Sequence, residues 1–255
     1  MRLIVIGDIH AQANKLWAML RETGLADEAK QPTALLQRGE VKLILLGDLV
    51  HAKSRERYAA MIRVGRYDEY NPEHLAKAEA IQATFLSEVK RFADALPEGA
   101  MEILLGNHDF NAITPSQGPL RTDDVLHLEW KEHALKPELA GWIAGWKTEL
   151  VIEGIHFAHV GPLPEHNRYD NGFYLENRRR WIYSDQDFLA ETPYRLGVYG
   201  HTPVRGGVNT ASQGRALLLD TNGHQDEYCY LIIEFEPDRY RLLLKGLFFD
   251  EQLPR

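Results

Sequence analysis

Four apolar stretches of this chain end in the same way. "RLIVIGDIH" (2–10), "VKLILLGDLV" (41–50), "AMEILLGNHD" (100–109) and "RLGVYGHTP" (195–203) each run through a short block suited to a buried strand and stop at a glycine. Asp, Asn or His follows at once. Apolar runs of this kind, bounded by glycine and separated by helical segments, indicate βαβ units and a mainly parallel sheet. In open α/β sheets ligands bind beyond the carboxyl ends of the strands, and glycine allows both the sharp departure and the close backbone approach such an end needs. The four endings therefore converge on one point, and "HFAHVG" (156–161) adds His159 at the end of a fifth strand.

Between these endings the pattern alternates. Residues 11–24 read as a helix closed by Gly24, and residues 73–95 as a long helix with Leu75, Ala78, Ile81, Phe85, Leu86, Val89 and Phe92 at helical spacing. The third ending is read as strand through residue 109. "TELVIEGIHFAHVG" (148–161) reads as a hairpin turning at Glu153 and Gly154. "RALLLDTNG", "EYCYLIIEFEP" and "RYRLLLKGLFF" read as three strands of an antiparallel meander. Two Pro- and Gly-rich loops, 110–123 and 161–172, read as the rim of a site.

The 255 residues, 44% hydrophobic and 26% charged, suffice for one sizeable core, and the whole chain, 1–255, is expected to be a single domain. No apolar run approaches the length of a membrane span, and the N-terminus lacks the layout of a secretory signal. Cys229 is the sole cysteine, which excludes an internal disulfide and fits a cytoplasmic location. The formal charge of −8 argues against extended nucleic-acid binding, although two bound divalent ions would create a local anion site on such a chain.

The residues gathered at the endings define the chemistry. Asp8, His10, Asp48, Asn107, His159 and His201 offer oxygen and imidazole nitrogen and no thiolate. That set suits Mn²⁺, Fe or Zn²⁺ rather than Ca²⁺ or an iron–sulfur cluster. Six ligands are too many for one tetrahedral zinc and suit two metals, with a carboxylate such as Asp48 as the natural bridge.

Read together, D-x-H at 8–10, G-D at 47–48, G-N-H-D at 106–109, the isolated His159 and G-H at 200–201 resemble the calcineurin-like metallophosphoesterases. The resemblance implies two mixed β-sheets packed as a sandwich flanked by helices, with a dinuclear metal centre on the strand ends. By it, Asp8, His10 and Asp48 hold the first ion, and Asp48 bridges to a second completed by Asn107, His159 and His201. It makes His108 the histidine beside the leaving group. It implies in-line attack on phosphorus by a metal-bridging hydroxide, with Mn²⁺ the expected metal and Fe or Zn the alternatives.

Two features depart from the phosphoprotein-phosphatase branch of that family. Its second motif, G-D-x-x-D-R-G, here reads "GDLVHAK", with His51 in place of Asp and Ala52 in place of Arg. His51 resembles the nuclease branch instead and is a candidate catalytic partner, yet Pro203 stands where that branch has a last histidine. A phosphate clamp must then come from elsewhere. Candidates are Lys53, Arg55 and Arg57, Arg168 in the rim loop, and Arg178, Arg179 and Arg180. His74, His127, His133, His166 and His224 read as surface residues, and His156 as pointing away from His159. The substrate expected is a phosphomonoester, either a phosphorylated small molecule, a nucleotide or a phosphoprotein. A phosphodiesterase or dinucleoside-polyphosphate hydrolase is the alternative, and a catalytically silent metal-binding module is the alternative of another class. The oligomeric state is left open.

Overall fold

The computed structural model describes residues 1–162, 187, 189–190, 192–203, 209–221, 229–237, 239–246 and 250–253. The chain enters on β1 (Arg2–Ile6), α1 (Ala13–Glu22), the short α2 (Ala34–Gln37) and β2 (Val41–Leu45), followed by α3 (Arg55–Ile62), α4 (Pro72–Asp94) and β3 (Met101–Ile103). Next come α5 (Asn107–Ile113), a two-strand ribbon of β4 (Arg121–Thr122) and β5 (Val125–Leu126), and α6 (Pro137–Ala144). The rest is strand: β6 (Glu149–Ile152), β7 (Ile155–Ala158), β8 (Leu196–Pro203), β9 (Asn209–Ala211), β10 (Ala216–Asp220), β11 (Cys229–Glu236), β12 (Arg239–Gly246) and β13 (Asp250–Leu253).

Two mixed sheets result. One runs β13-β12-β11-β1-β2-β3, with β1, β2 and β3 parallel and the others antiparallel. The other runs β6-β7-β8-β10-β9, in which β7, β8 and β10 are parallel. Side chains alternate between the faces of a strand, and β1 shows what that does here. Leu3 and Val5 join Phe157, Val198 and Leu217 of the second sheet in the core between the sheets. Ile4 and Ile6 turn the other way, onto Trp17 and Leu20 of α1 and Phe85 and Val89 of α4. Each such side chain contributes roughly 1.5–3 kcal/mol over its exposed state. The architecture is the expected sandwich flanked by helices.

The long helix is as the periodicity indicates. Its start is fixed by Asn71, whose side-chain oxygen accepts from the amides of Glu73 and His74, with Pro72 in the first turn. The hairpin turns at Glu153 and Gly154, both left-handed, as read. Two expectations need correction. The third apolar run ends as a strand at Ile103, and Asn107, His108 and Asp109 form the first turn of α5. Asp109 causes this, because its carboxylate reaches back to the amide of Gly106 and so caps a helix at that point. The three late strands are not one meander. β10 pairs with β8 and β9 in the second sheet, and the third antiparallel place beside β12 goes to β13. Among the described residues no helix is long and apolar enough to cross a membrane.

Candidate metal centre

The ends of β1, β2, β7 and β8 and the start of α5 meet at a buried cluster. The backbones lock first. The amides of Ile9 and His10 donate to the Asp48 carbonyl at 3.1 and 2.8 Å, and that of Ala11 to Leu49 at 2.8 Å. Asp109 then accepts from the amides of Asp48 (2.6 Å) and Leu49 (2.9 Å) as well as Gly106, tying the end of β2 to the start of α5. His10, Asp48, His51 and His201 all sit in the left-handed region, with φ of 49°, 53°, 63° and 58°. Each such residue costs on the order of 1 kcal/mol, and strain of this kind collects at functional sites. His201 owes its placement to a bulge, since β8 gains two residues on β10 between the Tyr199–Leu218 and Pro203–Asp220 pairs.

Two glycines are required by space. A Cβ at Gly106 would run into the carboxylate of Asp48, and one at Gly200 into that of Asp8. These positions let the chain pass directly behind the two acidic groups.

The functional atoms follow. Asp48 accepts from the His108 amide through Oδ1 (2.9 Å), so that Oδ2 stands 3.3 Å from His159 Nε2, 3.6 Å from His10 Nε2 and 4.0 Å from His108 Nε2. Asp8 accepts from the His201 amide at 3.0 and 3.2 Å and lies 3.4 Å from His10 Nε2. Asn107 Oδ1 lies 2.8 Å from His201 Nδ1 and 3.1 Å from His159 Nε2. His10 uses Nδ1 on the His51 carbonyl (3.0 Å), and His159 uses Nδ1 on the Leu46 carbonyl (2.7 Å). A carbonyl only accepts, so both Nδ1 atoms carry the proton and both Nε2 lone pairs point into the cluster in the neutral ring, the orientation a metal-ligating histidine needs.

The donors fit a metal. His10 Nε2 is buried without a hydrogen-bond partner. Among the described residues three trios hold ligand atoms within 4.8 Å of one another: His10, Asp48 and His108; Asp48, His159 and His201; and Asp8, His10 and Asp220. Asp48 links the side holding His10 to the side holding His159 and His201.

The electrostatics of the bare site agree. Burial lifts Asp8 to about 6. Burial would also raise Asp48, but the imidazoles of His159, His108 and His10 hold it well below the usual carboxylate range. Burial lowers His10 to about 3, helped by the Lys53 ammonium. His159 goes the other way: burial lowers it, yet Asp48 and Asp8 bring it to about 9. The opposite shifts of Asp48 and His159 are those of a buried carboxylate and imidazole that favour each other's charged forms.

The sequence matches the family described as calcineurin-like phosphoesterase over residues 1–228. The chain belongs to that family. It is accordingly a metal-dependent hydrolase of phosphate esters. Among solved structures, a cold-active protein tyrosine phosphatase aligns with a TM-score of 0.60 at 17% identity, covering 99% of this chain and 78% of that one. A protein serine/threonine phosphatase from Saccharomyces cerevisiae, with similarity to human phosphatase PP5, aligns at 0.52 and 14% identity over 100% and 81%. A metallophosphoesterase from Sphaerobacter thermophilus gives 0.49 and 18% over 96% and 88%. At these identities the likeness to the first two is one of fold. No curated protein matches the sequence.

Within this calcineurin-like site the structure brings together Asp8, His10, Asp48, Asn107, His108, His159 and His201. His51 joins them, fully buried, with Nδ1 3.1 Å from His108 Nδ1. Arg55 pairs with Glu69 through two hydrogen bonds of 2.8 and 2.5 Å, from Nε and Nη2 of its guanidinium. Arg168, Arg178, Arg179 and Arg180 lie outside the described residues, as does most of the 161–172 loop. Lys53 is inside the site, 3.7 Å from Asp220. His156 is set apart, between Tyr199, Tyr194 and Glu149.

Sequence reasoning gives Asp220 no role and does not place His127, Gln82 or Glu129 at the site. Asp220 ends β10 as Asp8 ends β1, so the apolar run before it was a usable signal. His127, expected at the surface, is fully buried, stacked on His51 at 4.6 Å and hydrogen-bonded to Tyr58 and Thr122. Beside it, buried Gln82 accepts from the His51 amide at 2.7 Å and donates to buried Glu129 at 3.1 Å. A polar residue inside the apolar face of α4 was the available sign of Gln82.

Proposed function

We propose that the protein is a dinuclear phosphomonoesterase folded as one domain over residues 1–255, with Asp8, His10, Asp48, Asn107, His159 and His201 as ligands. The observation that carries this is Asp48: its Oδ2 lies 3.6 Å from His10 Nε2 and 3.3 Å from His159 Nε2, so this carboxylate would be the ligand shared between two ions. The single-domain reading is supported by the inter-sheet core, which joins Leu3 and Ile44 to Leu242 and Leu244 from the far end of the chain. Two divalent ions, Mn²⁺ by the donor set with Fe or Zn as alternatives, supply when bound a water of lowered pKa and positive charge for the phosphoryl oxygens.

The chain's own residues supply the rest. Asp8 and Asp48 fix the charge of the site, and the amide of His201 orients Asp8. His108 Nε2 is turned toward the cluster while Nδ1 meets His51, so Nε2 is the atom placed to stabilise the departing oxygen by a hydrogen bond or, from the imidazolium, to protonate it. His51 is a positioning residue for that ring. Gln82 and the stacked His127 and Trp130 hold His51 in place. The lone cysteine supports a cytoplasmic location. The His51–His108 pair is also what favours the second reading, a phosphodiester or dinucleoside-polyphosphate substrate, since two imidazoles then stand on the leaving-group side.

The test is hydrolysis of an aryl phosphomonoester and the matching diester by metal-stripped protein, before and after Mn²⁺ is added. Metal-restored turnover that favours the monoester supports the proposal, and preference for the diester selects the second reading. Metal binding without turnover of either points to a silent module.

A further inference from the structure

The two ring nitrogens of His51 are held unequally. Nδ1 meets His108, while Nε2 is buried and has no hydrogen-bond partner among the described residues. No bond at Nε2 therefore fixes the plane of this ring, and the rings packed against it must do so. His127 lies flat on His51, with centroids 4.6 Å apart and planes within 6°, and stands at 80° to His108 with centroids 5.1 Å apart. His127 is itself bonded at both nitrogens, to the Tyr58 hydroxyl at 2.9 Å from Nδ1 and to Thr122 Oγ1 at 2.5 Å from Nε2. A ring bonded at both ends cannot flip or tilt without losing a buried hydrogen bond.

Tyr58 is the firm end of this chain. Helix α3 carries it, it is fully buried, and it stacks on the buried Tyr67 with centroids 4.4 Å apart and planes within 14°. Its hydroxyl also interacts with the Glu129 carboxyl, and burial together with that carboxyl pushes the phenol well above its ordinary range. The O–H is therefore intact at neutral pH and above. Phenylalanine would fill the same space without the cost of burying a hydroxyl, so it is the bond to His127 that gives the oxygen its purpose.

We propose that Tyr58 is a positioning residue for phosphoester cleavage: its hydrogen bond to His127 fixes the plane of His51 and so the direction in which His108 presents Nε2 to the departing oxygen. This role rests on the phosphoesterase reading and extends it to a residue that acts through two intervening rings. It makes α3 and the β4–β5 ribbon, which supplies Thr122, part of the support of the leaving-group side.

The test is Tyr58→Phe in the full-length, Mn²⁺-loaded protein, a change of one oxygen that keeps the stack on Tyr67. Turnover of phenyl phosphate is expected to fall about tenfold in kcat with KM little changed, the low end of what an outer hydrogen-bond partner contributes to an active site. The loss with 4-nitrophenyl phosphate is expected to be smaller, because a leaving group that departs readily asks less of His108. Thr122→Val, which frees the other nitrogen of His127, is expected to act in the same sense. Neither substitution is expected to add to His51→Ala, since both act through that ring. In metal-stripped protein, Tyr58→Phe is expected to move the side-chain nitrogen resonances of His127 and His51 and to leave those of His156, which stacks on Tyr194, in place. An unchanged kcat, an equal loss with both esters, or a loss that adds in full to that of His51→Ala overturns the proposal and leaves the phosphoesterase reading standing. Resonances of His51 that do not move overturn it as well. A lack of turnover in the unsubstituted, loaded protein defeats the phosphoesterase reading and this role with it.

Discussion

His108 and His51 meet Nδ1 to Nδ1 at 3.1 Å in a space closed to solvent. One nitrogen donates and the other accepts, so the two rings share a proton and each fixes the other's tautomer. Burial holds both imidazoles below their ordinary range, His51 at about 3.

Replacing His51 therefore acts through His108. His51→Ala should lower kcat by about ten- to a hundredfold with little change in KM, a loss typical of an orienting partner. His51→Asp should restore part of it and shift the pH profile of kcat upward, because a carboxylate favours the protonated ring. Equal kcat in the Ala variant would remove His51 from the mechanism.

Asp48→Asn should cost at least about a hundredfold in activity, since it removes the charge at the centre of both sides of the site. The far-ultraviolet circular dichroism should stay unchanged, because the Asp48 backbone contacts to Ile9, His10 and Asp109 survive the substitution. Metal content per chain, measured on the same preparation, should fall. Undiminished turnover rules out Asp48 as the bridge.

Glu129 carries a pH signature. Burial raises its carboxyl from 4.5 to about 7. Between those values the folded chain keeps a proton that the unfolded chain has released, so stability falls as pH rises from about 4.5 to 7 and is level above. The penalty is on the order of 3 kcal/mol. Glu129→Gln keeps an oxygen for Gln82 and should flatten that limb of the urea-denaturation profile, leaving the variant the more stable protein at pH 8. A slope unchanged by the substitution assigns the titration to another group.

Metal should also stabilise the fold. Ions that bind only the folded chain add about 2.7 kcal/mol at a hundred times their Kd. Chelation should lower Tm and Mn²⁺ should restore it, in parallel with activity. A Tm indifferent to Mn²⁺ would show that the clustered carboxylates and imidazoles hold no ion.

The candidate site was legible at the level of the strand ends, because a buried parallel strand advertises itself as an apolar run and a glycine beside a carboxylate marks a close approach. Gly106 behind Asp48 and Gly200 behind Asp8 are both instances. What lay hidden depended on pairing over long distances. "RALLLD" reads the same whether it adjoins β11 or β8, and only the second choice delivers Asp220 to the cluster. His127 follows a ribbon of two-residue strands, too short for any periodicity, so its burial comes entirely from the tertiary partners Tyr58 and His51. Glu69, fourteen residues on, folds back onto Arg55, a pairing the sequence does not reveal.

Asp109 ligates nothing in this scheme, yet it accepts from the amides of Asp48, Leu49 and Gly106 at once. Two strand ends far apart in sequence are thereby welded into one corner, and the ligands on either side of it cannot drift independently. If this cluster holds ions as proposed, exchanging one for another should require no segment of chain to refold. The amide protons of Asp48 and Leu49 should exchange with solvent as slowly in stripped protein as in loaded protein.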